Sequence, residues 1–353
     1  MVIDPQGTLH LGWIDRQGDI RRLFYTRLNR YGQMPARSRA LSSPQATVCS
    51  FALIAGPSGI EIIWSALEGD QTGMFYTHLS LTGQIVAENQ RLRDRGYDPA
   101  VQVARDGVLH IAWQEQPSFG ERFLYYATLV SGEASLRNPY RLASYPAPSG
   151  VLSRPPCLGL AAEEVYVFWS LERRGGGMSP PSAESFYVAF PLGRPEQAGS
   201  PAQVHIPAFG EPTYSSAETL FNVHQLADPA MGYLTAPFVY MPSAVAGQRD
   251  ELAVSFAVQL RGRTTELVQV VLTIWQQGAM QGYQVIGKTR NISLKPELVA
   301  DGNGDLHVVW IDTAGFGRYD AYYASTAPEM RQRLNRLTLS DVGLVAMDVL
   351  WSI

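Results

Sequence analysis

The stretch GDLHVVWID, residues 304–312, has two near-copies in the same chain, GTLHLGWID at 7–15 and GVLHIAWQE at 107–115. All three read Gly-x-Leu-His-x-x-Trp-x-acid. The aromatic that ends this run recurs at Trp13, Trp64, Trp113, Trp169 and Trp310, with Phe256 in the matching place of ELAVSFAV. The spacings are 51, 49, 56, 87 and 54 residues. A second run follows five of these aromatics and carries an aromatic pair: Phe24-Tyr25, Phe75-Tyr76, Tyr125-Tyr126, Phe186-Tyr187 and Tyr322-Tyr323. The remaining copy reads ELVQVVLTIW.

Pro-led apolar runs precede several of the Trp runs (DPAVQVARDG at 98–107, RPPCLGLAAE at 154–163, KPELVADGNG at 295–304), and polar runs such as VAENQRLR at 86–93 follow the aromatic pairs. Each unit of about 50 residues thus holds four short strands joined by Gly-, Asp- and Asn-rich turns. Even spacing with a periodic aromatic predicts an all-β fold, a six-bladed β-propeller of four-stranded antiparallel blades. Side chains alternate along a strand, so Leu306, Val308 and Trp310 share one face. The Trp is expected to fill the wedge between blades, its indole N–H meeting a backbone carbonyl. Gly12 and Ala112, on the other face, would let the next blade approach. His10, His110 and His307 hold one motif position in different blades and are expected to be structural, bonding backbone between strands.

Composition agrees with a folded chain: 46% of the 353 residues are hydrophobic and 17% charged. The net charge of −4 argues against a nucleic-acid binder working by phosphate neutralisation. The basic residues are nearly all Arg, with Lys only at 288 and 295. Cys49 and Cys157 are too few for a disulfide framework, and no Cys/His spacing suggests a metal, so no metal or cofactor is expected. No apolar run reaches the ~18 residues of a membrane span.

The D-x-x-G-x-L-H-x-x-W-x-D … YY units resemble the six-bladed sialidase-like propellers, including bacterial repeat proteins, over roughly residues 1–327. The Ser-x-Asp-x-Gly-x-x-Trp box of true sialidases is absent. The three arginines, Tyr/Glu pair and acidic Asp that the resemblance implies for a sialidase find no matching motif positions, so no catalytic residue carries over.

Candidate site residues come instead from the loops. Asp15, Glu115 and Asp312 stand two past the Trp, at loop starts, as catalytic candidates. Acids on one rim suit a glycosidase, which needs two carboxyls roughly 5–9 Å apart. The plainer reading makes them turn formers capping backbone N–H groups. Tyr97, Asp98, Glu172, Arg173, Arg318 and Tyr319 are the ligand-binding candidates, since Tyr, Arg and acids in loops suit sugar or carboxylate recognition.

The domain expectation is a propeller over 1–327, with a long insertion between blades four and five at about 191–237 and a helical tail over 328–353. One strand is expected in the insertion, at 202–207, and its aromatics suggest a lid or partner surface. MVIDPQG aligns with the end of ELVADGNG, so blade one is expected to lack its first strand. Pro328-Glu329 and Ser340-Asp341 are helix-start signals in the tail, which would dock on the propeller, another chain or a membrane surface. Both ends look cut, which slightly favours an extracytoplasmic or cell-surface module. The functional expectation is a non-catalytic module presenting loops to a protein or glycan partner. The alternatives are a sialidase-like glycoside hydrolase using rim carboxylates and a structural subunit of a larger assembly.

Overall fold

A computed structural model describes residues 1–29, 31–35, 37–68, 71–161, 163–173, 182–207, 236, 238–246, 250–261, 266–286, 292–313 and 318–327. The tail over 328–353 and most of the 191–237 connection lie outside the described residues. The chain divides into two compact units, Met1–Val204 and His205–Ile353.

The first unit holds four antiparallel meanders. Blade one runs β1 (Val2–Ile3), β2 (Leu9–Gln17), β3 (Ile20–Leu28) and β4 (Arg39–Ala40). Blade two runs β5 (Thr47–Ala55), β6 (Ile60–Glu68), β7 (Gln71–Leu79) and β8 (Ile85–Arg93). Blade three runs β9 (Tyr97–Val103), β10 (Val108–Glu115), β11 (Gly120–Val130) and β12 (Arg137–Ala147). Blade four opens on two short pieces, β13 (Val151–Ser153) and β14 (Cys157–Leu160), followed by β15 (Glu164–Arg173), β16 (Ser182–Pro191) and β17 (Ala202–Gln203). Both opening pieces pair with β15. Pro155 and Pro156 lie between them, and two residues without N–H groups cannot continue a ladder.

Two expectations are corrected here. Blade one does have a first strand: Val2 pairs with His10 and Ile3 with Leu9. The strand in the 191–237 connection is shorter than 202–207, because only Ala202 and Gln203 pair with β16.

The second unit holds two meanders. One runs β18 (Val239–Ala246), β19 (Leu252–Arg261), β20 (Glu266–Gln276) and β21 (Ala279–Val285). The other runs β22 (Ser293–Ala300), β23 (Leu306–Thr313) and β24 (Tyr319–Ser325), three strands among the described residues.

Within each unit the core lies between blades. Trp64 packs with Leu23, Tyr25 and Leu41 of the preceding blade. Trp113 packs with Ile63, Met74 and Tyr76, and Trp169 with Leu124, Tyr126 and Leu142. Trp310 packs with Ala253, Val270 and Leu272. Each Trp therefore faces the blade before its own. The aromatic directly opposite on the next strand stacks on it, at 5.7 Å for Trp13–Phe24, 4.5 Å for Trp64–Phe75 and 5.4 Å for Trp113–Tyr125. Such cross-strand aromatic pairs stabilise a sheet beyond their area burial.

The indole N–H groups do not find backbone carbonyls. Trp64, Trp113 and Trp275 donate to Thr77 Oγ1, Glu115 Oε1 and Thr273 Oγ1, whereas those of Trp169 and Trp310 have no partner. These acceptors are side-chain oxygens on the same or the adjacent strand.

The histidines are structural, but their partners are side chains rather than backbone. Asp4 Oδ1 accepts the N–H groups of Gln6 and Thr8 and so shapes the β1–β2 turn. Asp4 Oδ2 meets His10 Nε2 at 3.1 Å, and His10 Nδ1 meets the Tyr25 hydroxyl at 2.7 Å. Asp301, His307 and Tyr323 repeat the arrangement. His110 meets Tyr126 at 2.5 Å. In blades one and six the motif thus encodes a turn acid, a histidine and the second aromatic of the pair as one unit; in blade three Ala104 stands in the acid's place and only the His–Tyr contact remains.

Candidate functional site

The junction of blades two and three forms a cavity of about 620 Å³, open to solvent. Its lining includes Tyr97 and Asp98 from β9, Arg95 and Gly96 from the connection before it, Gln116, Pro117 and Arg122 from the next hairpin, and Cys49 and Thr72 from blade two. A bulge places the two β9 residues. Tyr97 pairs with Gln114 and Ala100 with Ala112, leaving Asp98 and Pro99 opposite Trp113 alone. Pro99 has no N–H to offer the ladder. Asp98 takes a left-handed φ of 53°, unusual outside glycine, and its N–H donates to Ser50 Oγ at 3.0 Å. Gly96 has a φ of 154°, and an added methyl there would lie 3.2 Å from Trp113 and 3.3 Å from Met74.

Arg122 ties the cavity together. Its guanidinium lies 4.9 Å from the centre of the Tyr97 ring, and its Nη1 donates to the Tyr97 hydroxyl and to Gln116 Oε1. Burial pushes the Asp98 carboxyl above the usual carboxylate range, against the opposing pull of Ser50 and Arg122. Burial also raises the Tyr97 hydroxyl well above its ordinary value and that of Tyr145 to about 12. The Cys49 thiol is raised by burial too, despite Arg21 nearby. The cavity thus offers hydroxyls, the Arg122 guanidinium and one carboxyl whose charged form burial disfavours.

A second cavity of about 340 Å³ adjoins the first and shares Arg95 with it. Arg91, Arg93, Asp94 and Glu115 also line it. Glu115 Oε1 accepts three hydrogen bonds, from Arg93 Nε (3.3 Å), Arg93 Nη2 (2.9 Å) and Trp113 Nε1 (3.0 Å).

The structure therefore brings Tyr97, Asp98 and Glu115 to adjoining cavities. The other candidates are placed differently. Asp15 is exposed and accepts the N–H of Arg16 at 2.8 Å, the turn-capping role. Glu172 is held by Arg154, and Arg173 lies 3.7 Å from Glu184. Asp312, in the second unit, is fully buried, and neither of its carboxyl oxygens has a hydrogen-bond partner among the described residues. Arg318 and Tyr319 are exposed in that same unit. Arg91, Arg93 and Arg95 stand two apart in NQRLRDRG, a local cluster of guanidiniums, although a register shift between Arg91 and Arg93 sets the first over Phe75 and the second over Trp113. No comparable local signal marks Arg122. Among the described residues no cluster of three His, Cys, Asp or Glu side chains could hold a metal ion.

Comparison with known proteins places the fold. No family model matches the chain, and no curated protein matches it. Solved structures do. The GH93 α-L-arabinofuranosidase of Fusarium graminearum, in complex with arabinobiose, superposes with a TM-score of 0.56 at 11% identity, over 93% of this chain and 92% of that one. A mutant Trypanosoma rangeli sialidase displaying trans-sialidase activity gives a TM-score of 0.52 at 8% identity, over 95% of this chain and 54% of that one. A PL25 ulvan lyase bound to a GlcA–Rha3S fragment gives 0.50 at 9% identity, over 91% and 81%. With the six antiparallel meanders, these likenesses establish the fold class, a six-bladed β-propeller.

Proposed function

We propose that this protein is a glycan-binding propeller and that its ligand sits in the cavity of Tyr97, Asp98 and Arg122. The observation that carries this reading is the lining itself. An aromatic ring, fixed guanidiniums, an amide (Gln116), a hydroxyl (Thr72) and a carboxyl converge on one open cleft of about 620 Å³, within the range of small-ligand sites. Sugars present hydroxyl groups that need donors and acceptors at once, and C–H faces that need an apolar or aromatic wall. Arabinofuranosidase, ulvan lyase and sialidase structures of the same fold all concern saccharides, which supports the same ligand class here.

Binding without turnover is the leading form of the proposal, because the carboxylates are committed. Glu115 is spent on Arg93 and Trp113, Glu172 on Arg154, and Asp15 on its own turn. A glycoside hydrolase needs two free carboxyls across a sugar ring. One observation favours hydrolysis as a second reading: the raised carboxyl of Asp98 has the character of a general acid.

The test is a binding screen of the purified chain on immobilised oligosaccharides beside an Arg122→Ala variant, with chromogenic glycosides assayed in parallel. Binding lost in the variant supports the cleft. Turnover lost on Asp98→Asn replaces the binding reading with the hydrolytic one. Saccharide binding untouched by Arg122→Ala overturns the placement.

A further inference from the structure

Around the two adjoining cavities the guanidiniums have different commitments. Arg91 pairs with Glu68 and lies over the Phe75 ring. Arg93 pairs with Glu115 and lies over Trp113 and Tyr125. Arg122 is spent on Tyr97 and Gln116. Arg95 alone among these four has no hydrogen-bond, ion-pair or ring partner among the described residues, and it lines both cavities. Asp94, beside it in sequence, reaches Arg91 instead, at 3.5 Å.

An exposed Arg at the shared wall of two cavities, with its fork of donors unspent, is matched by an anion that can present two oxygens at once. Carboxylate and sulfate groups can both do so. Because the cavities adjoin, one chain-like ligand can occupy both and present its acidic group at the wall between them. We propose that the ligand is an acidic oligosaccharide, of at least two sugar units, whose carboxylate or sulfate is read by Arg95. This rests on the glycan reading above and narrows it: Arg95 sets specificity for charge, while the Tyr97–Arg122 cavity binds the sugar. Arg91, Arg93 and Arg122 add positive field, which Asp94, Glu115 and Asp98 partly offset, so the cleft is selective for anions only where Arg95 is engaged.

The experiment is calorimetric titration of the full chain with tetragalacturonate and with its fully methyl-esterified form, which carries four methyl groups in place of the four charges. The two titrations are repeated on Arg95→Gln, Arg95→Lys and an exposed control, Arg16→Gln. The expected result is a preference of about tenfold or more for the acid. It should collapse in Arg95→Gln, recover in part in Arg95→Lys, weaken with added salt and persist in the control. Equal affinity for acid and ester, or a preference kept in Arg95→Gln, overturns the role of Arg95 and leaves the glycan reading standing. Binding of monogalacturonate at the tetramer's strength overturns the two-cavity span. Failure of both tetramers and of neutral oligosaccharides to bind overturns the glycan reading itself, and this inference with it.

Discussion

The Nδ1 of His10 lies 2.7 Å from the Tyr25 hydroxyl, while its Nε2 faces Asp4. A carboxylate only accepts, so the neutral imidazole carries its proton on Nε2 and receives the Tyr hydroxyl at Nδ1. The turn before the second strand is thereby tied to the end of the third. His307 repeats the geometry with Tyr323 and Asp301, and in blade two Glu61 stands where the histidine would be and accepts from Tyr76. Burial alone would raise the Asp4 carboxyl, but the His10 contact and two backbone N–H groups outweigh it and hold the group below its usual range.

Asp4 should therefore be a stability residue. Asp4→Ala strands two turn N–H groups and His10 Nε2, and is expected to cost about 2 kcal/mol in urea unfolding. Asp4→Asn keeps the turn acceptor and should cost less. Equal losses in the two variants would mean that the turn contributes nothing separate from the histidine contact.

Glu61 is a harsher case. It is fully buried, and its two oxygens accept from Ser131, Tyr76 and His78. The Tyr76 hydroxyl in turn accepts the Gly132 N–H, so the β11–β12 turn of the next blade hangs on this carboxylate. Glu61→Ala leaves several buried donors unpaired and is expected to cost about 3–5 kcal/mol. Hydrogen exchange should quicken at 130–133 in the same variant. Unchanged exchange there would separate the turn from the network.

His110 sets a pH window. Burial lowers its pKa from the ordinary 6.5 to about 4. Between those values the unfolded chain binds a proton that the folded chain refuses. Stability should then fall as pH drops from 6.5 to 4, by about 3 kcal/mol for this group, and flatten below that. Carboxylates such as Asp4 act lower, as pH falls through their depressed values. His110→Gln should remove the slope in the 4–6.5 window. A slope that survives the substitution would assign it to other groups.

Much of this was legible in the sequence because the packing problem recurs. One Trp per 50 residues, with an aromatic pair opposite, marks the inter-blade wedge wherever it forms. Tyr97 and Asp98 could be singled out because RGYDPA places an aromatic and an acid in a connection between blades. Arg122 stayed hidden for a physical reason: its partner Tyr97 lies two strands away, and the two meet only in the folded blade. Glu115 and Asp312 occupy one motif position, yet the longer side chain reaches the Trp113 indole while Asp312 has no partner among the described residues. One methylene decides that, and no pattern of residue types reports it. The histidine partners were misjudged because strand carbonyls are spent in the ladder, leaving the Tyr hydroxyl as the open group.

Gly12 shows how tightly blades one and two approach. A methyl added there would lie 2.8 Å from Cε2 of Phe51. Gly12→Ala should cost about 1–3 kcal/mol through overpacking. Phe51→Leu in the same chain should recover part of the loss, a coupling that a double-mutant cycle reads directly. Strict additivity would show that the ring moves aside freely.

The last prediction concerns Asp98, whose backbone and side chain pull separately. Its left-handed φ of 53° is tolerated by Asp and Asn, but costs a Cβ-bearing residue such as Ala about 1 kcal/mol. Its carboxyl pKa is raised in the fold, so the folded chain holds the proton more tightly than the unfolded one. That contribution is present below the unfolded pKa near 3.9 and is lost as pH rises through the folded value. Asp98→Asn should thus be relatively more stable than the parent at pH 7 than at pH 3.5, while Asp98→Ala is destabilised at both. Urea midpoints of the three chains at the two pH values give the answer. If Asn gains nothing between pH 3.5 and 7, the carboxyl is not desolvated in solution, and the cleft is wetter than its lining implies.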